Sequence, residues 1–330
     1  MKPGFLKGLK LDASGLKTAL QEDLGRVDAL MSEALGSEIP YIERLSDEVF
    51  QASGKRLRPA LVILAAGKPG KSDKATILAA AVVEMIHTAT LLHDDVVDAS
   101  LLRRGRATLN ARFGDGPAVL MADYIYSRAI TLLVEAELTQ VLSLLAWTVH
   151  KMSIGELLQL ELKDRGPLDR DAYFKVIYEK TARLIEGCCR TGAILGGRSA
   201  SEVEALATFG RSMGLAFQIV DDILDYQADP DVLGKPVGSD LSEGKQTLPL
   251  LEAYENADES DRAQMVELLH KRDKQAELVE LVRKNDGVAA AQQEARRLGR
   301  EAQEALETLP KGQVREALGA TVSFVLEREF

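Results

Sequence analysis

Cysteine is almost absent from this chain. Its 330 residues include two cysteines, the adjacent Cys188 and Cys189. Neighbouring cysteines rarely have the geometry for a mutual disulfide bond, so a disulfide framework is excluded as the basis of stability. We expect both to be small, reduced core residues, which is typical of a protein from a reducing compartment.

Basic residues are fewer than acidic residues. Lysine and arginine total 41 against 51 aspartates and glutamates, which gives a net charge of −10. This balance argues against a general nucleic-acid-binding protein. It does not exclude an anionic substrate, because basic residues can be gathered locally and metal ions can lie between carboxylates and a ligand.

Long uninterrupted apolar runs are missing as well. The segment from Met1 to Leu11 contains lysines but lacks the apolar core of a signal peptide. The most apolar run, Ile77 to Leu92, includes Glu84 and His87, and it is too short and too polar at its centre for a membrane span. We therefore expect a cytoplasmic protein without a membrane span.

Strand-like alternation is absent, and nearly every segment has helical periodicity instead. Asp73 or Ser72 can cap a long helix that is apolar nearly all round, and Ser201 with Glu204 matches a capping box. No repeat, low-complexity tract or linker divides the chain, so we expect one all-α domain over residues 1–330. The predicted helices cover residues 16–52 with a break at Pro40, 60–66, 75–99, 118–136, 138–162, 168–195 and 202–226, followed by charged helices after 247.

Two Asp-Asp-x-x-Asp elements each end a strongly apolar helix pattern; they are Asp94, Asp95 and Asp98, and Asp221, Asp222 and Asp225. Residues four apart share a helix face, so the first and last aspartates of each element point the same way. The middle aspartate is rotated by about 100° from the first about the helix axis. Clustered carboxylates repel one another unless a cation is present. Hard oxygen ligands favour Mg²⁺, which completes its shell with waters and phosphate oxygens. The pair of elements therefore predicts a site for Mg²⁺ and a diphosphate.

Acidic residues with this spacing have two other interpretations. A single Asp-Asp-x-x-Asp element is most often a solvated acidic end of a helix. Two such elements, each at the end of a strongly apolar helix, are less easily explained as solvated helix ends. A di-iron carboxylate bundle also uses acidic helices and needs paired Glu-x-x-His elements. Glu84 and His87 supply a single copy, which is insufficient.

Basic residues supply the other half of the expected site. Lys55, Arg56 and Arg58 cluster where a loop meets a helix start, a favourable position for an anion. His87 precedes Asp94 by two helical turns, roughly 10 Å, which suits a second anion, although a lone histidine on an apolar helix is more often a core residue. Arginine is well suited to bidentate phosphate contacts. Arg103 and Arg104 follow the first acidic element, while Lys180, Thr181, Gln218 and Lys235 are each weak signals alone.

Taken together, these elements resemble the trans-isoprenyl diphosphate synthases, also called polyprenyl synthetases, of the medium- to long-chain, octaprenyl or decaprenyl, type. Ser53, where the family commonly has a second glycine, is the departure. The matching elements cover about residues 50 to 250 in the family's order: Gly54–Pro59, His87, Leu92–Asp98, Arg103–Gly105, Lys180–Ala182, Phe217–Asp225 and Gly234–Asp240.

The resemblance implies an all-α homodimer, each subunit being a helical bundle around a deep central apolar cavity. Two or three Mg²⁺ ions would be ligated mainly by Asp94, Asp98 and Asp221, with Asp95, Asp222 and Asp225 supporting. Isopentenyl diphosphate would be held by Lys55, Arg58, His87 and Arg104. The allylic diphosphate would be contacted by Arg103, Lys180, Thr181, Gln218 and Lys235.

The implied reaction is head-to-tail condensation of isopentenyl diphosphate with an allylic diphosphate, giving an all-trans polyprenyl diphosphate. In the family, bulky aromatic residues four or five positions before the first aspartate block chain growth, and here those positions are the small Ala89 and Thr90. We therefore expect a lipophilic product near C40 to C50, a quinone side-chain precursor. The alternatives are a farnesyl or geranylgeranyl synthase, a class I terpene cyclase and a non-catalytic partner subunit.

Overall fold

The computed structural model describes residues 14–51, 54, 56–103, 105–163, 169–227, 238–269, 271 and 274–327. Over this part of the chain nearly all regular structure is helical, which confirms the all-α prediction. Three predicted site residues, Lys55, Arg104 and Lys235, lie outside the described residues, as does Ser53.

The first half of the chain forms seven described α-helices and one short hairpin, close to the predicted boundaries. The hairpin pairs Leu102 with Ala107 and Arg103 with Arg106, and strands of two residues are too short to give a periodic signal. The elements are α1 Ser14–Leu35, α2 Pro40–Gln51, α3 Leu57–Ala66, α4 Lys74–Val97, β1 Leu102–Arg103, β2 Arg106–Ala107, α5 Leu109–Phe113, α6 Asp115–Glu135 and α7 Thr139–Lys163.

The second half is also helical wherever it is described, and it includes one turn of π-helix between two α-helices. The elements are α8 Arg170–Ile177, a π-helix Tyr178–Ala182, α9 Arg183–Leu195, α10 Ala200–Gln227, α11 Ser239–Ser242, α12 Leu248–Asn256, α13 Glu259–Leu269, α14 Gln275–Lys284, α15 Gly287–Ala305, a 3₁₀ turn Leu306–Thr308 and α16 Gln313–Leu326.

The contacts divide the chain into two compact units. The first comprises Met1–Trp147, Gly187–Leu206 and Thr308–Ala320, and in it α4 packs most extensively against α6. The second comprises Thr148–Glu186, Ala207–Glu307 and Thr321–Phe330; its core is built around buried side chains such as Tyr226 and Leu250. The expectation of a single domain over residues 1–330 stays a prediction.

Helix α4 is buried on most of its faces, as its apolar pattern predicts. Every residue from Ala79 to Ile86 is buried, including Glu84. Asp73 caps the helix by accepting a hydrogen bond from the backbone N–H of Thr76 at 2.8 Å, a contact worth about 1 kcal/mol at such positions. Burial on most faces makes α4 a firm support for the side chains near its end.

Two helices, α4 and α6, are long and apolar enough to cross a membrane by length and composition. In α4, 67% of the most apolar window is buried within the protein, and in α6 39% is buried. The core helix of a soluble protein passes the same test, so these helices are weak evidence for a span.

The capping box was predicted at Ser201 and Glu204, and this prediction is wrong because the capping box lies two residues earlier, at Ser199 and Glu202. Ser199 is the capping residue: its backbone N–H donates to Glu202 at 3.0 Å, and its hydroxyl accepts from the backbone N–H of Glu202 at 3.3 Å. Both serines have an acidic residue three positions later, so spacing alone does not separate them. Glu204 instead forms an ion pair with Arg190.

Candidate active site

The first acidic element lies at the C-terminal end of α4. Asp94 and Asp98 are half-buried, whereas Asp95 is 4% exposed. Asp98 is the first residue past the helix, and its backbone N–H donates to the carbonyl of Asp94 at 2.8 Å. The C-terminal end of a helix carries partial negative charge, which adds to that of the carboxylates. The element is therefore a place where a cation is favoured.

Asp95 is engaged by the arginine that follows it. The Nε of Arg103 donates to the two carboxylate oxygens of Asp95 at 2.8 and 3.1 Å, and its Nη2 lies 2.7 Å from Oδ1. Asn110 holds the intervening chain by donating to the backbone carbonyls of Asp95 and Ser100 at 3.2 and 3.1 Å. The hairpin thus returns Arg103 to the end of α4, and the charge of Asp95 is neutralised by a protein partner.

The structure brings together two residues that were predicted to hold the same substrate. The Nη1 of Arg58, in α3, lies 3.0 Å from the Nε2 of His87, in α4. A guanidinium nitrogen can only donate, so Nε2 is the acceptor and the proton of a neutral imidazole lies on Nδ1. Arg58 and His87 therefore form one polar site two helical turns before Asp94.

Arg56 differs from the two basic residues with which it was grouped. Its side chain is 6% exposed and forms ion pairs with Asp28 at 2.7 Å and Glu84 at 2.8 Å. The interpretation of Arg56 as part of an anion-binding cluster is therefore wrong. The pairing of Glu84 with Arg56 also agrees with rejecting an iron site at Glu84 and His87.

A cavity in the first unit borders these residues. It is lined by the acidic element, the arginine after it and the histidine before it, namely Asp95, Arg103 and His87. Gly54, which precedes Lys55, also lines it. The other lining residues include Glu48, Val49, Glu84, Thr88, Leu91, Leu92, Arg106, Ala107, Thr108, Leu109 and Arg112.

The two chain-length positions lie on α4 close to this cavity. Ala89 is 2% exposed and packs in the core. Thr90 is partly buried, and its hydroxyl donates to the backbone carbonyl of His87 at 2.8 Å. Their proposed role in product length stays a prediction.

The second acidic element lies near the end of α10. Asp221 is half-buried, whereas Asp222 and Asp225 are 4% and 6% exposed. The carboxylate of Asp222 accepts hydrogen bonds from the hydroxyl of Tyr173 at 2.6 Å and the amide of Gln218 at 2.9 Å. Burial raises the pKa of Asp222 to about 8, and the charge of Asp240 adds to the rise.

Asp225 holds the chain that follows the second acidic element. It accepts from the hydroxyl of Ser239 at 2.6 Å and from the backbone N–H of Asp240 at 3.0 Å. Asp221 and Asp225 were expected to point the same way because they are four residues apart. Their surroundings differ, since Asp225 is buried and satisfied by α11, while Asp221 is half-buried.

Lys180 and Thr181 lie in the π-helix, a feature that often marks functional positions. The hydroxyl of Thr181 donates to Gln218 Oε1 at 2.8 Å, which links Thr181 through Gln218 to Asp222. The Nζ of Lys180 lies 2.5 Å from Glu156 Oε2. A Cβ on Gly155 would lie 2.6 Å from the backbone nitrogen of Lys180, so only glycine allows α7 to pass this closely.

Several of these partners were not predicted from the sequence. Glu156 follows a glycine that forms no motif by itself, and Tyr173 has the helical spacing of an ordinary core residue. Ser239 and Asp240 belonged to a matched element, so a signal for them existed. Tyr173, Ser239 and the backbone N–H of Asp240 are neutral donors to carboxylates, whereas Glu156 forms an ion pair with Lys180.

The acidic residues differ in how well they suit Mg²⁺. Within the described residues, no three His, Cys, Asp or Glu side chains are grouped closely enough to hold an ion by themselves. Mg²⁺ is commonly bound through one or two carboxylates, with waters and substrate phosphates completing its shell. Asp94 and Asp98 in the first unit, and separately Asp221 in the second, are half-buried and provide oxygen donors of this kind. The residues of each unit therefore fit Mg²⁺ bound together with a diphosphate.

Comparison with known proteins identifies the family. A polyprenyl synthetase profile matches residues 39–285 of the chain, which include both acidic elements. The chain belongs to the polyprenyl synthetase family. It is a prenyltransferase, a trans-polyprenyl diphosphate synthase with the all-α isoprenoid synthase fold.

Relatives and solved structures match most of this polyprenyl synthetase. It is 38% identical to octaprenyl diphosphate synthase of Haemophilus influenzae over 311 residues, covering 93% of this chain and 94% of the relative. It is 43% identical to the Escherichia coli octaprenyl diphosphate synthase over 245 residues, 74% of this chain and 76% of the relative. The crystal structure of a Caulobacter crescentus polyprenyl synthase, complexed with calcium and isoprenyl diphosphate, matches with a TM-score of 0.89 at 34% identity, covering 99% of each chain.

Proposed function

We propose that this chain is a Mg²⁺-dependent synthase that adds isopentenyl diphosphate units head-to-tail to an allylic diphosphate, giving an all-trans product of about C40 to C50. One observation carries the proposal beyond the family. In the first unit, Asp95 of the acidic element, its partner Arg103 and His87 line one cavity, and His87 contacts Arg58. Asp94 and Asp98 flank Asp95 at the end of the same helix, so residues suited to a metal and cations suited to a diphosphate belong to one region of the first unit.

Two or three Mg²⁺ ions would be held mainly by Asp94, Asp98 and Asp221, with Asp95, Asp222 and Asp225 in support. The exposure of these side chains favours this division, because the first three are half-buried and the last three are buried with protein partners. The calcium and isoprenyl diphosphate of the Caulobacter protein are consistent with a divalent cation beside a diphosphate. Bound Mg²⁺ would neutralise the negative charge that develops on the leaving diphosphate.

The side chains of the protein would act as follows. Lys55, Arg58, His87 and Arg104 would bind isopentenyl diphosphate. Arg103, Lys180, Thr181, Gln218 and Lys235 would contact the allylic diphosphate. Arg103 and Lys180 would place positive charge where the departing diphosphate becomes more negative, so that they stabilise the transition state more than the ground state. Apolar walls would exclude water from the allylic cation until the isopentenyl double bond attacks it and a proton is lost.

Two observations support the proposed product length. The small side chains of Ala89 and Thr90 leave room for a long chain, and the two relatives reported above are named octaprenyl diphosphate synthases. A product of this length would suit the side chain of a quinone such as ubiquinone. A farnesyl or geranylgeranyl product is the alternative.

We also propose a homodimer in the cytoplasm. The single chain exposes large apolar side chains on α6 and at the middle of α7, including Leu120 at 68%, Val134 at 57% and Trp147 at 54% exposure. Contiguous apolar patches are typical of association surfaces, and the proposed homodimer requires that these side chains belong to such a surface. Sedimentation analysis of the purified chain would measure the oligomeric state directly.

The decisive experiment uses the purified chain alone, with farnesyl diphosphate, isopentenyl diphosphate and Mg²⁺, and measures product length by mass spectrometry. We expect a product of C40 to C50 and no condensation after chelation of divalent cations. Asp98→Asn should lower the rate by about a hundredfold or more, since it weakens a predicted metal site. The matched control is Asp115→Asn, an exposed residue at the start of α6, which should retain activity.

Other outcomes would select another function. A C20 product from farnesyl diphosphate, or a C15 product when geranyl diphosphate replaces it as the primer, would support the shorter-chain alternative. Cyclic hydrocarbons from the allylic substrate alone would indicate a terpene cyclase. No turnover without a second kind of chain would support a partner subunit.

A further inference from the structure

Two pairs of side chains join the start of α3 to the middle of α4. The first pair is Arg56 with Glu84, whose Nη1 and Oε1 atoms lie 2.8 Å apart. The second is Arg58 with His87, whose Nη1 and Nε2 atoms lie 3.0 Å apart. Glu84 and His87 are three residues apart on α4 and so lie on neighbouring positions of one helix face. The pairs are therefore two adjacent connections between the same two elements.

The first pair is more deeply buried than the second. Arg56 is 6% exposed and Glu84 is 4% exposed. A buried charge is tolerated when it is paired and hydrogen-bonded, and removing one partner leaves an uncompensated charge. Arg56 has a second carboxylate within reach, Asp28 of α1, whose Oδ1 accepts from its Nε at 2.7 Å. The guanidinium of Arg56 thus ties three helices together at one point.

The backbone of Arg56 is also unusual. Arg56 caps the start of α3 with φ of 60° and ψ of 33°, a left-handed conformation that is costly for a residue with a Cβ. Its side chain makes no capping hydrogen bond to the helix. Such a conformation persists where surrounding contacts hold it, and the side chain of Arg56 is held by its ion pairs with Asp28 and Glu84. Arg58 follows two residues later, so its position depends on this turn.

Arg56 also compensates the negative charge of Glu84 beside the cavity. Glu84 lines the same cavity as His87. An uncompensated carboxylate there would repel a diphosphate approaching His87 and Arg58. Arg56 supplies the opposite charge at hydrogen-bonding distance from the Glu84 carboxylate.

We infer that Arg56 is a positioning residue for the isopentenyl diphosphate site: its buried ion pair with Glu84 holds Arg58 against His87 and cancels the negative charge beside them. The inference rests on the proposed function, in which Arg58 and His87 bind isopentenyl diphosphate. Arg56 itself does not touch the substrate.

The test measures the KM for each substrate separately, in wild type, Arg56→Gln and Arg56→Lys. Arg56→Gln should raise the KM for isopentenyl diphosphate by about tenfold or more while leaving that for the allylic diphosphate within about twofold. Arg56→Lys keeps the charge but not the fork that reaches two carboxylates, so it should recover part of the loss. Glu84→Gln provides a second variant if Arg56→Gln does not fold. It breaks the ion pair without leaving an uncompensated carboxylate, so it should raise the same KM, but by less than Arg56→Gln.

The matched control is Asp23→Asn. Asp23 is a carboxylate of the same unit, 1% exposed, and it accepts hydrogen bonds from Arg26, Ser72 and the backbone of Gly70. This variant should lower the melting temperature and leave both KM values unchanged. If it gives the same selective change, or if the Arg56 variants alter both KM values equally or neither, the inference is overturned. A wild-type chain that does not condense the two substrates would instead refute the proposed function.

Discussion

The hydroxyl of Tyr173 donates a hydrogen bond of 2.6 Å to Asp222, and both side chains are buried. Tyr173 belongs to α8 and Asp222 to α10, so this bond joins two helices of the second unit. Gln218 donates to the other carboxylate oxygen, and Thr181 donates to Gln218. The result is a connected set of donors that fixes the middle aspartate of the second acidic element beside Asp221.

Tyr173→Phe removes one donor from this set without changing the shape of the core. Leaving the Asp222 oxygen without this partner should lower the free energy of unfolding by about 1–3 kcal/mol. Groups that orient metal ligands commonly change metal affinity, so the Mg²⁺ concentration for half-maximal activity should rise by about tenfold. Chemical denaturation and Mg²⁺ titration of the rate measure the two effects.

Tyr226→Phe is the matched control for Tyr173→Phe. Tyr226 is fully buried in the same core, and its hydroxyl bonds to Thr247 at 3.0 Å rather than to a carboxylate. It should lose comparable stability and keep its Mg²⁺ requirement. Equal Mg²⁺ requirements in the two variants would show that Tyr173 acts only on stability.

Gly155→Ala tests the close approach of α7 to the π-helix. The added Cβ would lie 2.6 Å from the backbone nitrogen of Lys180 and 2.9 Å from the carbonyl carbon of Glu179, so the backbone must move. Displacement of Lys180 and Thr181 should raise the KM for the allylic diphosphate by about tenfold or more, because small misplacements of binding groups are costly. Steady-state kinetics with each substrate varied in turn provide the measurement.

Gly25→Ala is the control for Gly155→Ala. Gly25 is exposed in α1, and an added Cβ there meets no heavy atom within 4 Å. Replacing it should leave the kinetics unchanged and stabilise the chain by up to about 1 kcal/mol. If Gly155→Ala behaves in the same way, the tight contact is not needed to position Lys180.

The helices were largely predictable because their pattern is local. The 3.6-residue period and the break at Pro40 predicted α1 and α2, and the all-round apolar pattern predicted the burial of α4. The spacing of residues did not predict the capping residue of α10, because two serines fit the same capping pattern. Ser199 and Ser201 both precede an acidic residue by three positions, and only the path of the chain at Arg198 decides which one caps α10.

The sequence predicted which types of residue form the candidate site. It did not predict which side chains pair with one another there. The sequence groups Lys55, Arg56 and Arg58 as equal cations, but burial and two carboxylates distant in sequence set Arg56 apart. Pairings such as Lys180 with Glu156 depend on how helices pack. Contacts across such sequence separations leave no periodic signal, so the structure is needed to see them.

The two cysteines should be inert in the folded protein. Both are fully buried, and burial raises the pKa of the Cys188 thiol to about 12. The thiolate is the reactive form, so at pH 8 Cys188 remains protonated and out of reach of reagents. A thiol assay with Ellman's reagent should detect less than about 0.1 equivalents in the native protein and two after unfolding. Rapid stoichiometric labelling of the native chain would contradict this.

Ala89→Phe tests the account of product length. Ala89 is 2% exposed on α4, so a phenyl ring there must occupy neighbouring space inside the protein rather than solvent. If the growing chain passes this position, the ring should shorten the product, and Ala89→Leu should shorten it less because its side chain is smaller. Ala75→Phe, near the start of α4 and about 21 Å away along the helix, should leave product length unchanged. Mass spectrometry of the products from the three variants gives the answer. An unchanged product in Ala89→Phe, with activity retained, would mean that the chain grows elsewhere and that the small residues at positions 89 and 90 do not set its length.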